Sequence, residues 1–318
     1  MNTFIKKILV ILAAAITLLA GNFQLLAKPV DFSIGGTALY NWWNPAWNNR
    51  KLVLYTPEIR KVVDTHAPQY TVMRQFLYGP DISIKFLQNW ELSPSFQYGE
   101  SSTQGGGFAL YPDLVYRTLT INIKQYKIYT SIGYYFLEYF KCYLGLRVEI
   151  INNSINYKHL ESKFPLNIFF LGIDTKTLHV TPEAGFNVIV PISALISFMC
   201  SLSGTFQSGS NRSDYKKSYD RYGPKFNFRK IPRDIYIAVG GNTSLAFKIN
   251  IPAINTSLTL GAYYRMLKYF QKNHDRGLFD LDGSYDHNYG FMCSIAYTLS
   301  FGKRKKQRLW IPHPNYER

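Results

Sequence analysis

Two stretches of the chain hold side chains able to activate a water or a hydroxyl. Asp280-Leu281-Asp282 and Asp286-His287 set a carboxylate pair near an acid and an imidazole, groups that take a proton from an attacking water. His179-Val180-Thr181, with Asn187 nearby, offers an imidazole, a hydroxyl and an amide, the parts of a base-assisted nucleophile. Each set is incomplete. The acidic one lies in a single stretch beside Gly283, with no opposing carboxylate pair from an earlier strand, and reads as a solvated loop. In the other the hydroxyl belongs to a threonine, and His179 reads as lining an interior. Gly105-Gly106-Gly107 lacks the following helix that a phosphate site needs, and no His/Asp/Glu cluster has metal-ligand spacing. Cys142, Cys200 and Cys293 leave at least one thiol unpaired in an oxidising compartment. Each falls on an apolar face and reads as a small hydrophobe. No enzymatic activity, cofactor or metal is expected.

The elements that carry these residues are strands. In Tyr289–Phe301 one face reads Tyr289, Phe291, Cys293, Ile295, Tyr297, Leu299 and Phe301, and the other Gly290, Met292, Ser294, Ala296, Thr298 and Ser300. Side chains alternate across a strand, so one face is greasy and the other small and mildly polar. At about 3.3 Å per residue and a tilt of about 40°, such a strand rises roughly 33 Å, enough to cross an apolar band of about 25 Å. Aromatic residues at both ends sit where interfacial girdles lie.

The same alternation recurs along the chain. It runs through Asp31–Trp42, Phe76–Gln88, Trp90–Gly99, Leu114–Lys124, Lys127–Phe136, Cys142–Ile150, Leu178–Val190, Ala194–Phe206, Ile235–Ile251 and Ile254–Lys268. In Leu114–Lys124 the isoleucines Ile121 and Ile123 are expected outward and Asn122 inward. Ile151–Pro165 is polar and ambiguous. Leu166–Ile173, apolar without alternation, brings the count to about twelve; ten is the fallback if two weaker strands fail. Ser101–Gly107, Gln207–Arg233 and Tyr269–His287 read as loops, as does the stretch from Trp43 to about Arg74. Short turns fall near Asn89, Pro191 and Pro252. Trp42, Trp43, Trp47, Tyr134, Tyr135 and Phe136 read as girdle residues. A soluble sandwich would use strands of about 5–6 residues, shorter than these.

The 47% hydrophobic content and mean hydropathy of −0.13 are too polar for a bundle of membrane helices. They suit strands of which only one face meets lipid. Lys6 and Lys7 precede the apolar run Ile8–Gly21, short for a spanning helix and suited to a cleaved signal peptide over residues 1–27. The barrel is expected over 28–302, followed by a basic periplasmic tail over 303–318. The net charge is +16, but basic residues are scattered and no basic helix or stacking module appears, so nucleic acid is not expected as a partner. Anionic lipid or small anionic solutes fit better.

Signal peptide, alternation, unequal loops and a terminal aromatic strand together resemble the outer-membrane β-barrel proteins of diderm bacteria. The resemblance spans Asp31 to Phe301 and implies an all-β fold, a transmembrane antiparallel up-and-down β-barrel in the outer membrane with lipid around it. In size the chain resembles the omptin proteases, which pair carboxylates with an Asp–His pair near the rim, yet the opposing pair is missing here. His179-Val180-Thr181 is distantly similar to the His-x-Ser of outer-membrane phospholipases, with Thr in place of the nucleophile. Even strand number places both termini in the periplasm, with short turns there and long loops outside. Inward charges then follow from parity: Lys85, Glu91, Lys124, Lys141, Arg147, Glu149, Glu183, Lys248 and Arg265 are the expected lumen-lining residues. Their basic excess points to a small porin-like channel that passes anions. The alternative is a non-conducting surface barrel whose loops bind a partner, and a rim hydrolase is the third reading.

Overall fold

The computed structural model describes residues 30–46, 53–55, 60–62, 72–87, 89–111, 114–162, 169–219, 233–271 and 281–301. The expected signal peptide, the 303–318 tail, Trp47 and Asp280 lie outside the described residues.

Ten strands close a barrel: β1 (Val30–Asn44), β4 (Met73–Phe86), β5 (Trp90–Tyr111), β6 (Leu114–Leu137), β7 (Phe140–Ser162), β8 (Phe169–Pro191), β9 (Ile196–Tyr219), β10 (Asp234–Ile251), β11 (Thr256–Gln271) and β12 (Tyr285–Phe301). Between β1 and β4 lie two three-residue strands, β2 (Val53–Tyr55) and β3 (Arg60–Val62), paired only with each other. Each barrel strand runs antiparallel to its sequence neighbour. β1 shuts the cylinder by pairing with both β4 (Asp31↔Lys85) and β12 (Val30↔Phe301). Every backbone edge is thereby satisfied, the condition for a strand protein to stand in lipid. This is the architecture of outer-membrane β-barrels.

The count settles at ten, the fallback, because two pairs of expected strands are single strands. Leu114–Lys124 and Lys127–Phe136 join as β6, while Leu166–Ile173 and Leu178–Val190 fall on one strand described from Phe169 as β8. Several expected loops are strand as well. Ser101–Gly107 lies within β5, β7 continues through the ambiguous stretch to Ser162, β9 runs on to Tyr219, and β12 begins at Tyr285. Backbone pairing tolerates polar and glycine residues wherever a partner strand continues, so composition alone marked these stretches as loops. The connections at 87–89, 138–139, 192–195 and 252–255 are short and share one end with Val30 and Phe301. Those at 45–72, 112–113, 163–168, 220–233 and 272–284 join strand ends at the other, where 112–113 alone is as short as the turns opposite.

The wall has two zones. Towards the short-turn end the outer face is apolar, as in β7 with Leu144 and Leu146 exposed, and in β10 with Ile237, Val239, Leu245 and Phe247 exposed. Aromatic pairs border this belt. Trp90–Tyr134 and Phe140–Phe186 sit at one rim, and Trp42–Tyr289 and Tyr98–Tyr126 at the other. Beyond the second rim the pattern inverts. On β6 Ile121 and Ile123 are 0% and 1% exposed and point inward, while Asn122 and Lys124 are exposed. Ile151 and Ile155 on β7 are buried in the same way. Where the wall stands in water and not in lipid, apolar residues gain by turning inside. The expectation for Ile121, Ile123 and Asn122 is therefore reversed. Trp43 and Tyr135, expected in the girdle, also face inward: Trp43 is buried, and the Tyr135 hydroxyl donates to Glu91.

Candidate functional site

The interior is organised in three tiers along the barrel axis. Nearest the short turns, Glu91 accepts from Lys141 at 3.0 Å, Tyr135 at 2.6 Å and Ser93 at 2.8 Å. The Lys85 ammonium lies 4.2 Å above the Tyr135 ring, a cation–π contact. Lys248 stands in the field of the same group. Three cations thus lie near Glu91, and Glu138 adds a second carboxylate beside Lys85.

The middle tier is a polar chamber of about 320 Å³. Lys127, Arg147, Arg265, Glu183, Asn242 and Tyr263 are among the residues on its wall. Glu183 accepts from Arg147 at 2.7 Å, Ser203 at 2.8 Å and Tyr143 at 3.0 Å, so this carboxylate is fully engaged. Gly145 makes room for the chamber's Tyr129 ring: a Cβ there would lie 2.6 Å from the Tyr129 hydroxyl.

The third tier is a ring of buried residues facing inward from all ten strands. It includes Asn41 and Trp43 on β1, Gln75 and Leu77 on β4, Gly99 on β5, Ile123 and Gln125 on β6, and Glu149 on β7. His179 and Thr181 continue it on β8, Gln207 on β9, Tyr236 and Ala238 on β10, Leu267 and Tyr269 on β11, and Asp286 and Asn288 on β12. Glu149 is the hub. It accepts from Gln125, pairs with Lys127 at 3.7 Å and Arg265 at 3.8 Å, and lies 3.4 Å from His179 Nδ1. His179 Nε2 is 2.7 Å from the Tyr236 hydroxyl. Asp286 accepts from the Trp43 indole at 2.9 Å and faces Arg265 at 3.7 Å. Gln207 bridges the Thr181 and Tyr269 hydroxyls. The remaining cleft in this ring, about 50 Å³ beside His179, Asp234 and Tyr236, has room for a water or two.

Of the nine expected lumen residues, Lys85, Glu91, Lys141, Arg147, Glu149, Glu183, Lys248 and Arg265 face inward. Lys124 does not. Its side chain is 55% exposed on the outer wall, paired with Glu100 at 2.8 Å. It sits above the lipid belt, where parity read from apolar residues has changed sign. Lys127 and Asp286, which complete the Glu149–Arg265 network, were not among the expected residues. Lys127 opens an expected strand, and Asp286 falls in an expected loop.

The two hydrolytic sets come apart in the fold. Asp286 and His287 are neighbours on a strand, so their side chains leave on opposite faces. Asp286 is buried inside, and His287 packs outside, its Nδ1 2.8 Å from the Tyr264 hydroxyl. Asp282 accepts from the Gln271 backbone amide at 3.1 Å. His179 and Thr181 both face inward but bond Tyr236 and Gln207, not each other. Among the described residues no group of three or more His, Cys, Asp or Glu side chains is placed to hold a metal ion.

No family model matches the chain, and no curated protein matches it. Among solved structures it is similar to the outer membrane protease OmpT from Escherichia coli, at 11% identity over 86% of this chain and 97% of that one, with a TM-score of 0.45. The translocator domain of autotransporter NalP from Neisseria meningitidis matches at 9% identity over 90% and 96%, TM-score 0.44. The Ralstonia pickettii toluene transporter TbuX matches at 8% identity over 87% and 90%, TM-score 0.31. No functional residue is carried over from any of them.

Proposed function

We propose that the protein is a closed outer-membrane barrel that anchors and displays its long connections at the cell surface, and that it does not conduct. The observation that carries this reading is the ring of buried residues contributed by all ten strands. A barrel of about 8 strands is filled by its own side chains, and water channels come with about 16–18. Ten strands lie near the filled limit, and the ring fills the cross-section with buried polar and aliphatic side chains. The apolar belt with aromatic borders supports a membrane address, reached through the N-terminal signal peptide. The inequality of the connections supports placing the long ones outside the cell. Segment 220–233 carries Arg221, Lys225, Arg229, Lys230 and Arg233, which favours a partner with an anionic surface.

The porin-like reading has the polar chamber in its favour, since a channel for small anions needs a hydrated interior. It has the ring against it. A rim hydrolase needs an acid and a base on one face, and Asp286 and His287 lie on opposite faces. The test is a planar bilayer. Purified, heat-modifiable barrel added at high salt is expected to insert without stepwise current. Regular conductance steps of one size would overturn the closed reading and restore the channel.

A further inference from the structure

The chamber between the ring and the short-turn tier has a chemistry of its own. Three cationic heads, Lys127, Arg147 and Arg265, lie on its wall, but Glu183 is the one carboxylate that lines it. The carboxylates that balance Lys127 and Arg265 are Glu149 and Asp286, which are sealed in the ring behind them, 1% and 3% exposed respectively. These pairs therefore present their positive ends to the cavity. Arg265 adds a second, independent sign. Its side chain is only 9% exposed, and its carboxylate partners stand at 3.7 and 3.8 Å, beyond hydrogen-bond distance. A buried guanidinium without a close acceptor favours an anion that supplies one.

We propose that this chamber is a binding site for a small organic or inorganic anion, whose carboxylate or phosphoryl oxygens accept from Arg265, with Arg147 and Lys127 flanking. At about 320 Å³ the space equals roughly ten water volumes of about 30 Å³ each, enough for an anion of a few heavy atoms with part of its hydration. On the short-turn side Lys85, Lys141 and Lys248 are offset by Glu91, by Glu138 near Lys85, and by the inward Asp81, which accepts from Thr37 and Ser294, so the excess of positive charge belongs to the chamber itself. The site is independent of conduction, because binding needs only one open end.

Isothermal titration of the full-length barrel in non-ionic detergent tests this. Orthophosphate and succinate are titrated separately, with glucose as a neutral control and sodium chloride at matched ionic strength. Saturable binding of one anion, absent for glucose and chloride, is expected, and which anion binds tells a phosphate from a dicarboxylate site. Arg265→Gln should weaken binding at least tenfold. Should that variant fail to fold, Ser244→Phe keeps every ion pair and fills the chamber, and it too should abolish binding. No saturable binding of either anion, equal binding of glucose, or binding that survives Ser244→Phe would each overturn the proposal.

Discussion

Lys124 and Lys127 stand three residues apart on β6 and play opposite parts. Lys124 sits in water on the outer wall opposite Glu100, whereas Lys127 is buried against Glu149. An exposed pair gains little, because solvent and salt screen it and two long side chains lose freedom. Removing one partner of a buried pair leaves an uncompensated charge. Lys127→Ala should therefore destabilise the barrel by about 3–5 kcal/mol, and Lys124→Ala should leave it unchanged in the same urea titration. Equal effects would show that Glu149 is held by its other partners alone. Lys124 is expected inward, and Lys127 is missed, for one reason: apolar residues of Leu114–Lys124 suggest a lipid face, yet nothing in Ile121 or Ile123 by itself says whether lipid or the interior receives it. Glu91, Arg147, Glu183 and Arg265 were legible because they lie inside the lipid belt, where only one face of a strand can hold a charge.

At the scale of the strand, the same belt makes a sharp contrast on β10. Ile237 and Leu245 face outward, and Asn242 between them faces the chamber. Leu245→Arg should cost about 2–4 kcal/mol, the range for a cation on the lipid face near the midplane, and Ile237→Arg, at the level of the second rim, about 0–1 kcal/mol. Asn242→Glu places its charge among Lys127, Arg147 and Arg265, and should cost clearly less than Leu245→Arg in the same refolding assay into lipid vesicles. A strand with clean alternation, such as β10, was legible almost end to end for this reason, and so was β12 from Tyr289 onward. Those that climb out of the membrane were not. On β9 the stretch from Gln207 to Tyr219 is polar and charged, which reads as loop, yet it is paired with β8 as far as Phe169↔Tyr219. A long hairpin standing in water needs no lipid-facing residues, so the hydrophobic signal ends before the strand does. The same blindness divided β6 and β8 in two each and raised the count from ten to twelve.

For the whole molecule, the backbone ladder and the interior have separate duties, and this separation can be tested. The cylinder is closed by pairing along ten strands, including β1 with β12 over fifteen residue pairs from Val30↔Phe301 to Asn44↔His287. Closure of the lumen depends instead on side chains in the ring. Tyr236 and Tyr269 are large members of that ring, and their rings lie 5.3 Å apart. Each truncation of a buried aromatic removes packing worth about 3–5 kcal/mol, but it leaves every backbone hydrogen bond of β10 and β11 in place. The double variant Tyr236→Ala/Tyr269→Ala should still insert and still shift on boiling, while gaining intermittent current in a planar bilayer that the parent lacks. Because Lys127, Arg147 and Arg265 line the chamber just below, that current should favour anions. In a salt gradient its reversal potential should then move towards the chloride equilibrium value. A folded double variant that stays silent would show that closure lies elsewhere along the axis, and a current favouring cations would contradict the positive face assigned to the chamber.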